Sequence, residues 1–254
     1  MHILLTNDDG IAAEGITILR QELIKIAQVT VIAPERERSA SGHGITVHKP
    51  LRVKTYNYHD GTVGWSVSGT PADCVKIAID ALVKKNKPDL VVSGINFGAN
   101  LGTDVLYSGT VSAAIEASIL GCPSIAVSLV TGDDYCFSVA AEFTSHLCSK
   151  LFERELPSDI LLNVNIPDRK KENIQGVEIT KLGNHRYDNT VHKREDPRGK
   201  VYYWLAGEIV DSNQEEGTDV AAIKAGRISI TPIHFDLTNY QIIDRLKSMK
   251  INLP

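Results

Sequence analysis

Two adjacent carboxylates, Asp8 and Asp9, end the first apolar run of the chain, His2–Thr6, and Gly10 follows them at once. Side chains next to each other on a strand point to opposite faces, so both acids reach one point only where the strand has already turned. Glycine supplies that turn at little cost. Carboxylates this close repel unless a cation lies between them or one holds a proton. Ser39 and Asn96 stand in loops after two other apolar runs and offer oxygen, which suits a hard divalent cation such as magnesium or manganese better than zinc. Alone, Asp-Asp-Gly reads more simply as a solvated turn; the neighbouring loops reverse that balance.

A second signal is Ser108-Gly109-Thr110-Val111, which opens a predicted helix. Free backbone amides at a helix start, with two hydroxyls and a glycine that permits close approach, form an anion site. Plain N-capping by Ser108 or Thr110 accounts for the segment equally well. Joined to a metal-binding acid pair, the anion site describes phosphoryl transfer, in which a cation neutralises charge and activates water while amides hold phosphate oxygens.

The elements that must position these groups follow from hydrophobic periodicity. Short strands are expected at His2–Thr6, Val29–Ala33, Ile45–Tyr56, Val63–Ser68, Asp89–Ser93, Ser124–Val130 and Ile160–Ile166. Helices are expected at Glu14–Ala27, from Thr70-Pro71-Ala72-Asp73 with Val75, Ala78, Ile79 and Leu82 buried, at Thr110–Leu120 stopped by Gly121, and at Asp133–Phe152. Such alternation, with strands apolar on both faces, implies a largely parallel sheet covered on both sides by helices. Ligands then collect outside the carboxyl ends of the strands, where all the loops named above lie. The last third reads differently: strands at Gly176–Leu182 and Lys200–Val210 flank a polar stretch, Asn184–Gly199, and a helix at Thr218–Ala225, a strand at Arg227–Ile233 and a helix at Asn239–Lys250 follow.

Other polar residues carry less. Asp89 precedes its strand and so lies at the opposite edge, and Asp73 reads as a helix-start charge. A structural or surface role is expected for His43 and His234, and the Glu35–Arg38 charge run reads as a solvated loop in which one arginine could meet a substrate anion. No histidine pair has zinc-hydrolase spacing.

Composition excludes several classes. Lys+Arg 27 against Asp+Glu 31 leaves a net charge of −4, which argues against coating a nucleic-acid polymer. No apolar run is long enough to span a bilayer, and the N-terminus reads as having no secretory leader. Cys74, Cys122, Cys136 and Cys148 have no C-x-x-C spacing and read as free buried thiols of a reducing cytoplasm.

Taken together, Ile3-Leu4-Leu5-Thr6-Asn7-Asp8-Asp9-Gly10, Ala33-Pro34 through Arg38-Ser39-Ala40-Ser41, Ser68-Gly69-Thr70-Pro71-Ala72-Asp73-Cys74-Val75, Ser93-Gly94-Ile95-Asn96, Asn100-Leu101-Gly102-Thr103-Asp104 and Tyr107-Ser108-Gly109-Thr110-Val111 resemble the SurE survival-protein family. The likeness returns at Ile230-Thr231-Pro232 and Asp236-Leu237-Thr238. One departure is Ala40, where many members carry glycine. The resemblance implies a three-layer α/β/α Rossmann-like core with a mostly parallel sheet, residues 1–180, and a C-terminal β-rich and helical extension, residues 181–254, that exchanges between subunits of a homodimer or homotetramer. It also implies a cytoplasmic 5′-nucleotidase acting on nucleoside monophosphates, with 3′-monophosphates and short polyphosphate as further substrates. One divalent cation per subunit (Mn, Mg or Co) would be held by Asp8, Asp9, Ser39 and Asn96, with Asp8 and Asp9 as the catalytic pair. Asn100, Ser108, Gly109 and Thr110 would border the phosphate.

Three rival readings stay open on residues alone. A phosphatase working through a phospho-aspartate commonly wants D-x-D, whereas these acids are adjacent. A nucleotide sensor needs the anion site but no acid pair. A metal-dependent deacetylase lacks a suitably spaced histidine.

Overall fold

In a computed structural model, residues 1–251 are described apart from 131, 133–135, 155–156, 158, 185, 189–190, 206 and 211–214. The strands in chain order are β1 (His2–Thr6), β2 (Gln28–Pro34), β3 (Val53–Asn57), β4 (Val63–Val67), β5 (Leu90–Phe97), β6 (Ser124–Val130), β7 (Leu161–Pro167), β8 (Val177–Ile179), β9 (Arg186–Asp188), β10 (Val191–Glu195), β11 (Val201–Leu205), β12 (Glu208–Val210) and β13 (Ile228–Pro232). The helices are α1 (Glu14–Leu23), α2 (Pro71–Ile77), α3 (Gly109–Ile119), α4 (Phe137–Phe152), α5 (Asp219–Lys224) and α6 (Tyr240–Ser248).

Nine strands form one sheet in the order β3-β4-β2-β1-β5-β6-β7-β13-β8. It is parallel except where β3 meets β4 and β7 meets β13. The predicted α/β/α layering is present. Along β1, Ile3 and Leu5 face the side covered by α1 and α4, where Ile16, Leu19, Leu23, Ala140 and Ala141 pack on them and their neighbours. Leu4 faces the other side, with Ile32 and Val91, against Val75, Ala78, Ile79, Ala113 and Ala117 of the α2–α3 layer. Burial on both faces is why these strands read as continuous apolar runs. Each such side chain contributes about 1.5–3 kcal/mol, and together they fix where the strand ends point.

The chain leaves β1 in one direction to reach β2 and later returns to β1's other side as β5. The carboxyl ends of β1 and β5 therefore flank a switch point of the sheet, the place where open α/β sheets bind ligands.

Several expectations need correction. The strand expected over Ile45–Tyr56 is ordered as β only from Val53. Pro50 offers no N–H to a ladder, and the Thr46 N–H instead donates to Asp73 Oδ1 at 2.9 Å. Leu82, expected in the core, is 38% exposed because regular winding of α2 stops at Ile77 and a wider turn, Ala78–Leu82, rotates it outward. Cys136 is exposed, while Cys74, Cys122 and Cys148 are buried; all four are free. The long helix begins at Phe137, and the earlier part of its predicted span at 133–135 lies outside the described residues.

The polar stretch Asn184–Gly199 hides strands. β9 pairs with β12, and β10 pairs antiparallel with β11 in a hairpin closed by Asp196, whose Oδ1 accepts from the Arg198 and Lys200 amides. Residue 206, inside the single strand expected over Lys200–Val210, is outside the described residues; β11 and β12 flank it. Beyond residue 180 the chain also returns to the main sheet, as β13 between β7 and β8.

Candidate functional site

Asp8 and Asp9 follow β1 after the single residue Asn7, and Gly10 turns the chain with φ of +102°. Asp8 is 3% exposed. Its backbone carbonyl accepts from the Arg38 N–H at 2.7 Å, which fastens the following loop to the strand end. Its carboxylate lies at the start of α3: the Thr110 N–H donates to Oδ2 at 3.2 Å and the Thr110 hydroxyl donates to Oδ1. Ser108 caps the helix, its Oγ accepting from Val111 N–H at 3.1 Å. Ser108 is the helix cap, one of the two readings of this turn, while both Thr110 donors go to the protein's own Asp8 rather than to a ligand. The Gly109 N–H and the Ser108 hydroxyl hydrogen are the donors these bonds leave.

Gly109 is where this packing is tightest. A Cβ built there would lie 2.8 Å from Asp8 Cβ, 2.9 Å from Asp8 Oδ2 and 3.0 Å from Ser41 Oγ. Ser41 Oγ is itself buried without a hydrogen-bond partner. Nothing in the residue pattern singled out Ser41 as a site residue.

Burial raises both acids' affinity for protons. For Asp8 desolvation dominates, opposed by the two Thr110 bonds. Asp9 is pushed up to about 7, first by burial and then by the charge of Asp8; the Phe97 N–H, 3.4 Å from Oδ2, pulls the other way. Glu37 adds further negative charge to both. A pair of acids held in this state gains from a nearby positive charge. Among the described residues no cluster of three or more His, Cys, Asp or Glu side chains could hold a metal, so a cation here would depend on hydroxyl and amide oxygens as well. That donor set fits a hard, oxygen-loving ion.

Asp8, Ser39, Asn96, Asn100 and Ser108 line one open cleft of about 540 Å³. Ser39 Oγ donates to Glu37 Oε1 at 2.6 Å. Asn96 Nδ2 donates to Gly98 O at 2.7 Å, which leaves the side-chain oxygen as the end able to serve a cation. Asp9 lines an adjoining hollow of about 240 Å³, and Phe97 borders both spaces.

Asn100 is buried, and its side chain is turned inward, donating from Nδ2 to Ser128 Oγ at 2.8 Å. Its backbone is clamped as well: the N–H donates to Asn165 Oδ1, and the carbonyl accepts from Asn163 Nδ2 and Asn165 Nδ2. A second clamp comes from α5, where fully buried Asp219 accepts from Gly102 N–H at 2.8 Å and Gly183 N–H at 2.7 Å. Sequence reasoning missed both. For the first a signal existed, since two asparagines spaced by two on a wholly buried strand share one face and need partners.

The remaining polar residues take supporting places. His43 Nε2 lies 2.8 Å from buried Glu116 Oε2, with Lys76 Nζ at 3.4 Å from Oε1, which ties the loop after Ser39 to α3. The Arg38 guanidinium donates to Ser68 O at 3.0 Å rather than into the cleft. Asp73 completes a capping box with Thr70, and Asp89 accepts the His2 N–H at the far edge of the sheet. Ala40 adopts φ of +54° in the loop beside Ser39. Left-handed backbone costs a residue with a Cβ about 1–2 kcal/mol, while glycine gives back only about 0.5–1 kcal/mol in chain entropy. Ala40→Gly is therefore expected to stabilise the fold slightly, by less than about 1 kcal/mol, and so to raise the urea midpoint; a lower midpoint would contradict the strain.

The chain matches the family described as Survival protein SurE over residues 3–189. It is 56% identical to the 5′-nucleotidase SurE of Heliobacterium modesticaldum over 247 residues, covering 97% of this chain and 90% of that one. Against the 5′-nucleotidase SurE of Moorella thermoacetica it is 57% identical over 242 residues, covering 94% and 92%. The crystal structure of the SurE protein from Aquifex aeolicus superposes with a TM-score of 0.86 at 41% identity, covering 99% of this chain and 100% of that one.

Proposed function

The chain belongs to the SurE survival-protein family, and on that premise we propose that it is a phosphoric monoester hydrolase acting as a 5′-nucleotidase on nucleoside monophosphates. The observation that carries this reading is the pairing of Asp8 and Asp9, both raised in proton affinity, with a 540 Å³ cleft at the sheet's switch point. Asp8, Asp9, Ser39 and Asn96 would hold one divalent cation. When bound, such an ion neutralises phosphate charge and lowers the pKa of water.

The chain's own residues divide the rest of the work. Thr110 engages both oxygens of Asp8 and fixes its orientation. Asp9 has one oxygen on the Phe97 N–H, so its other oxygen has capacity to take a proton from the attacking water. The Gly109 N–H and Ser108 hydroxyl face the developing charge on the phosphate oxygens. Water's oxygen forms the new bond to phosphorus as its proton passes to Asp9, the ester bond breaks, and the departing nucleoside oxygen takes a proton from solvent water, Asp9 returning its own to solvent. Asn100 shapes the cleft wall through its clamped backbone.

A substrate panel tests the reading: AMP and other nucleoside 5′-monophosphates, 3′-monophosphates and short polyphosphate, each with manganese, magnesium or cobalt. Phosphate release from the 5′-monophosphates that EDTA abolishes is expected. No release with any metal would overturn the proposal.

A pH dependence follows from the same pair. A carboxyl whose folded pKa is raised stabilises the fold below its unfolded value, near 4, and loses that contribution as pH rises through about 7. Manganese relieves this loss. The rise in Tm on adding manganese should therefore widen between mildly acidic and mildly alkaline pH; a gap that is constant or narrows would argue against cation binding at these acids.

Two further points belong to this reading. Tyr202, Tyr203, Trp204 and Leu205 of β11, Ile242 and Leu246 of α6, and Met249 just after it, are exposed, and residues 181–254 would use such faces to form a homodimer or homotetramer. No described helix is long and apolar enough to cross a membrane, and four free cysteines fit a cytoplasmic setting.

A further inference from the structure

Two large aromatic side chains with exposed surface line the cleft. Phe97 is 52% exposed and Tyr107 is 66% exposed, and both line the same 540 Å³ space as Asp8, Ser39 and Ser108. Neither belongs to the acid pair or the anion turn, and exposed aromatic surface facing a cleft gains by being covered.

Both rings are carried on fixed backbone. Phe97 is the last residue of β5; its N–H is held by Asp9, its ring lies 6.4 Å from that of Phe137, and the following Gly98 N–H donates to Leu129 O at 3.0 Å. Tyr107 precedes the helix cap, with its N–H donating to Asp104 O at 3.0 Å and its carbonyl accepting from Gly42 N–H at 3.0 Å. Placement on ordered backbone limits the entropy lost when a flat ligand is received.

We infer that Phe97 and Tyr107 form the nucleobase subsite, an aromatic platform on which the base lies while the phosphate reaches Ser108 and Gly109. This rests on the nucleotidase reading above and adds to it the residues that favour a nucleotide over other phosphate esters. Tyr107 is one residue from Ser108 and Phe97 one residue from Asn96, so a ligand seated on the rings has the reacting groups beside it. The cleft volume lies within the range of small-molecule sites, roughly 300–1,000 Å³. Stacking accepts every base because each has a π-face, and purines offer more of it.

The test compares kcat/KM for AMP with kcat/KM for glycerol phosphate, which has no ring. Phe97→Leu keeps an apolar contact toward Phe137 but removes the π-face, and Tyr107→Leu likewise replaces a ring by an aliphatic side chain. Each is expected to lower the AMP-to-glycerol-phosphate ratio about tenfold, mainly through KM for AMP, whereas Tyr107→Phe preserves it. Phe97→Leu also guards against the chance that Phe97→Ala fails to fold. Unchanged ratios in both leucine variants would overturn the subsite. So would equal affinities of the wild-type chain for AMP and inorganic phosphate in a calorimetric titration. A wild-type chain that binds AMP through these rings yet releases no phosphate would instead overturn the nucleotidase reading and leave the platform standing.

Discussion

Asp8→Asn is expected to abolish phosphate release, lowering kcat/KM for AMP by at least about 10³-fold, while the chain remains folded. The substitution keeps the shape of the side chain and removes its charge. Asparagine can still meet both Thr110 groups, its oxygen accepting from the N–H and its amide nitrogen donating to the hydroxyl oxygen, which accepts as well as donates. A buried charge that repels Asp9 has also gone, so the metal-free variant should unfold at a denaturant concentration close to wild type. Loss of activity with stability retained separates a role in binding and chemistry from a role in the core. Near-normal turnover of p-nitrophenyl phosphate with manganese would falsify the role given to Asp8.

Gly109→Ala is expected to lower kcat/KM about 10²-fold and to destabilise the fold by about 1–3 kcal/mol. The sign is informative, because glycine to alanine inside a helix otherwise gains about 1 kcal/mol. Here the new methyl would stand 2.8 Å from Asp8 Cβ and 2.9 Å from Oδ2. Asp8 cannot retreat without breaking its bonds to Thr110, and the Arg38 amide holds its backbone. The variant therefore shifts the acid, the helix start, or both, by a few tenths of an ångström at a site whose function depends on their relation. Activity is read by phosphate release and stability by the urea midpoint. A stabilised, fully active Gly109→Ala chain would mean that the contact between α3 and the acid pair has no functional weight.

The parts of this site that could be read from the residues are those that lie directly after strongly buried strands. β1, β5 and their companions bury both faces, so their apolar runs are unbroken, and whatever follows them is placed at one edge by the sheet itself. Asp8 and Asp9 are legible for that reason; Asn96, expected in a loop after a strand ending at Ser93, lies within β5, which runs on to Phe97 and pairs Asn96 with Ser128. The contacts that hold the loops were not, because their partners are remote in sequence and one side is commonly backbone. Asp219 reaches Gly102 across 117 residues, and Asn165 reaches Asn100 across 65. Residue types do not announce such bonds. Thr110 was legible as a helix-start hydroxyl, yet that its donors meet Asp8 rather than a ligand depends on how closely Gly109 lets α3 approach β1. β10 escaped, although its partner β11 lies within the strand expected over Lys200–Val210, because every residue of β10 is exposed: without a buried side there is no alternation of apolar and polar residues to find.

All of this turns on whether the oxygen atoms gathered beyond β1 and β5 grip a hard ion. Calorimetric titration of manganese into the EDTA-treated chain, above neutral pH, reads that directly. One equivalent should bind to the wild type, and Asp8→Asn should lose it while keeping its fold by circular dichroism. Binding of equal stoichiometry and affinity in both chains, or none in either, would contradict the account.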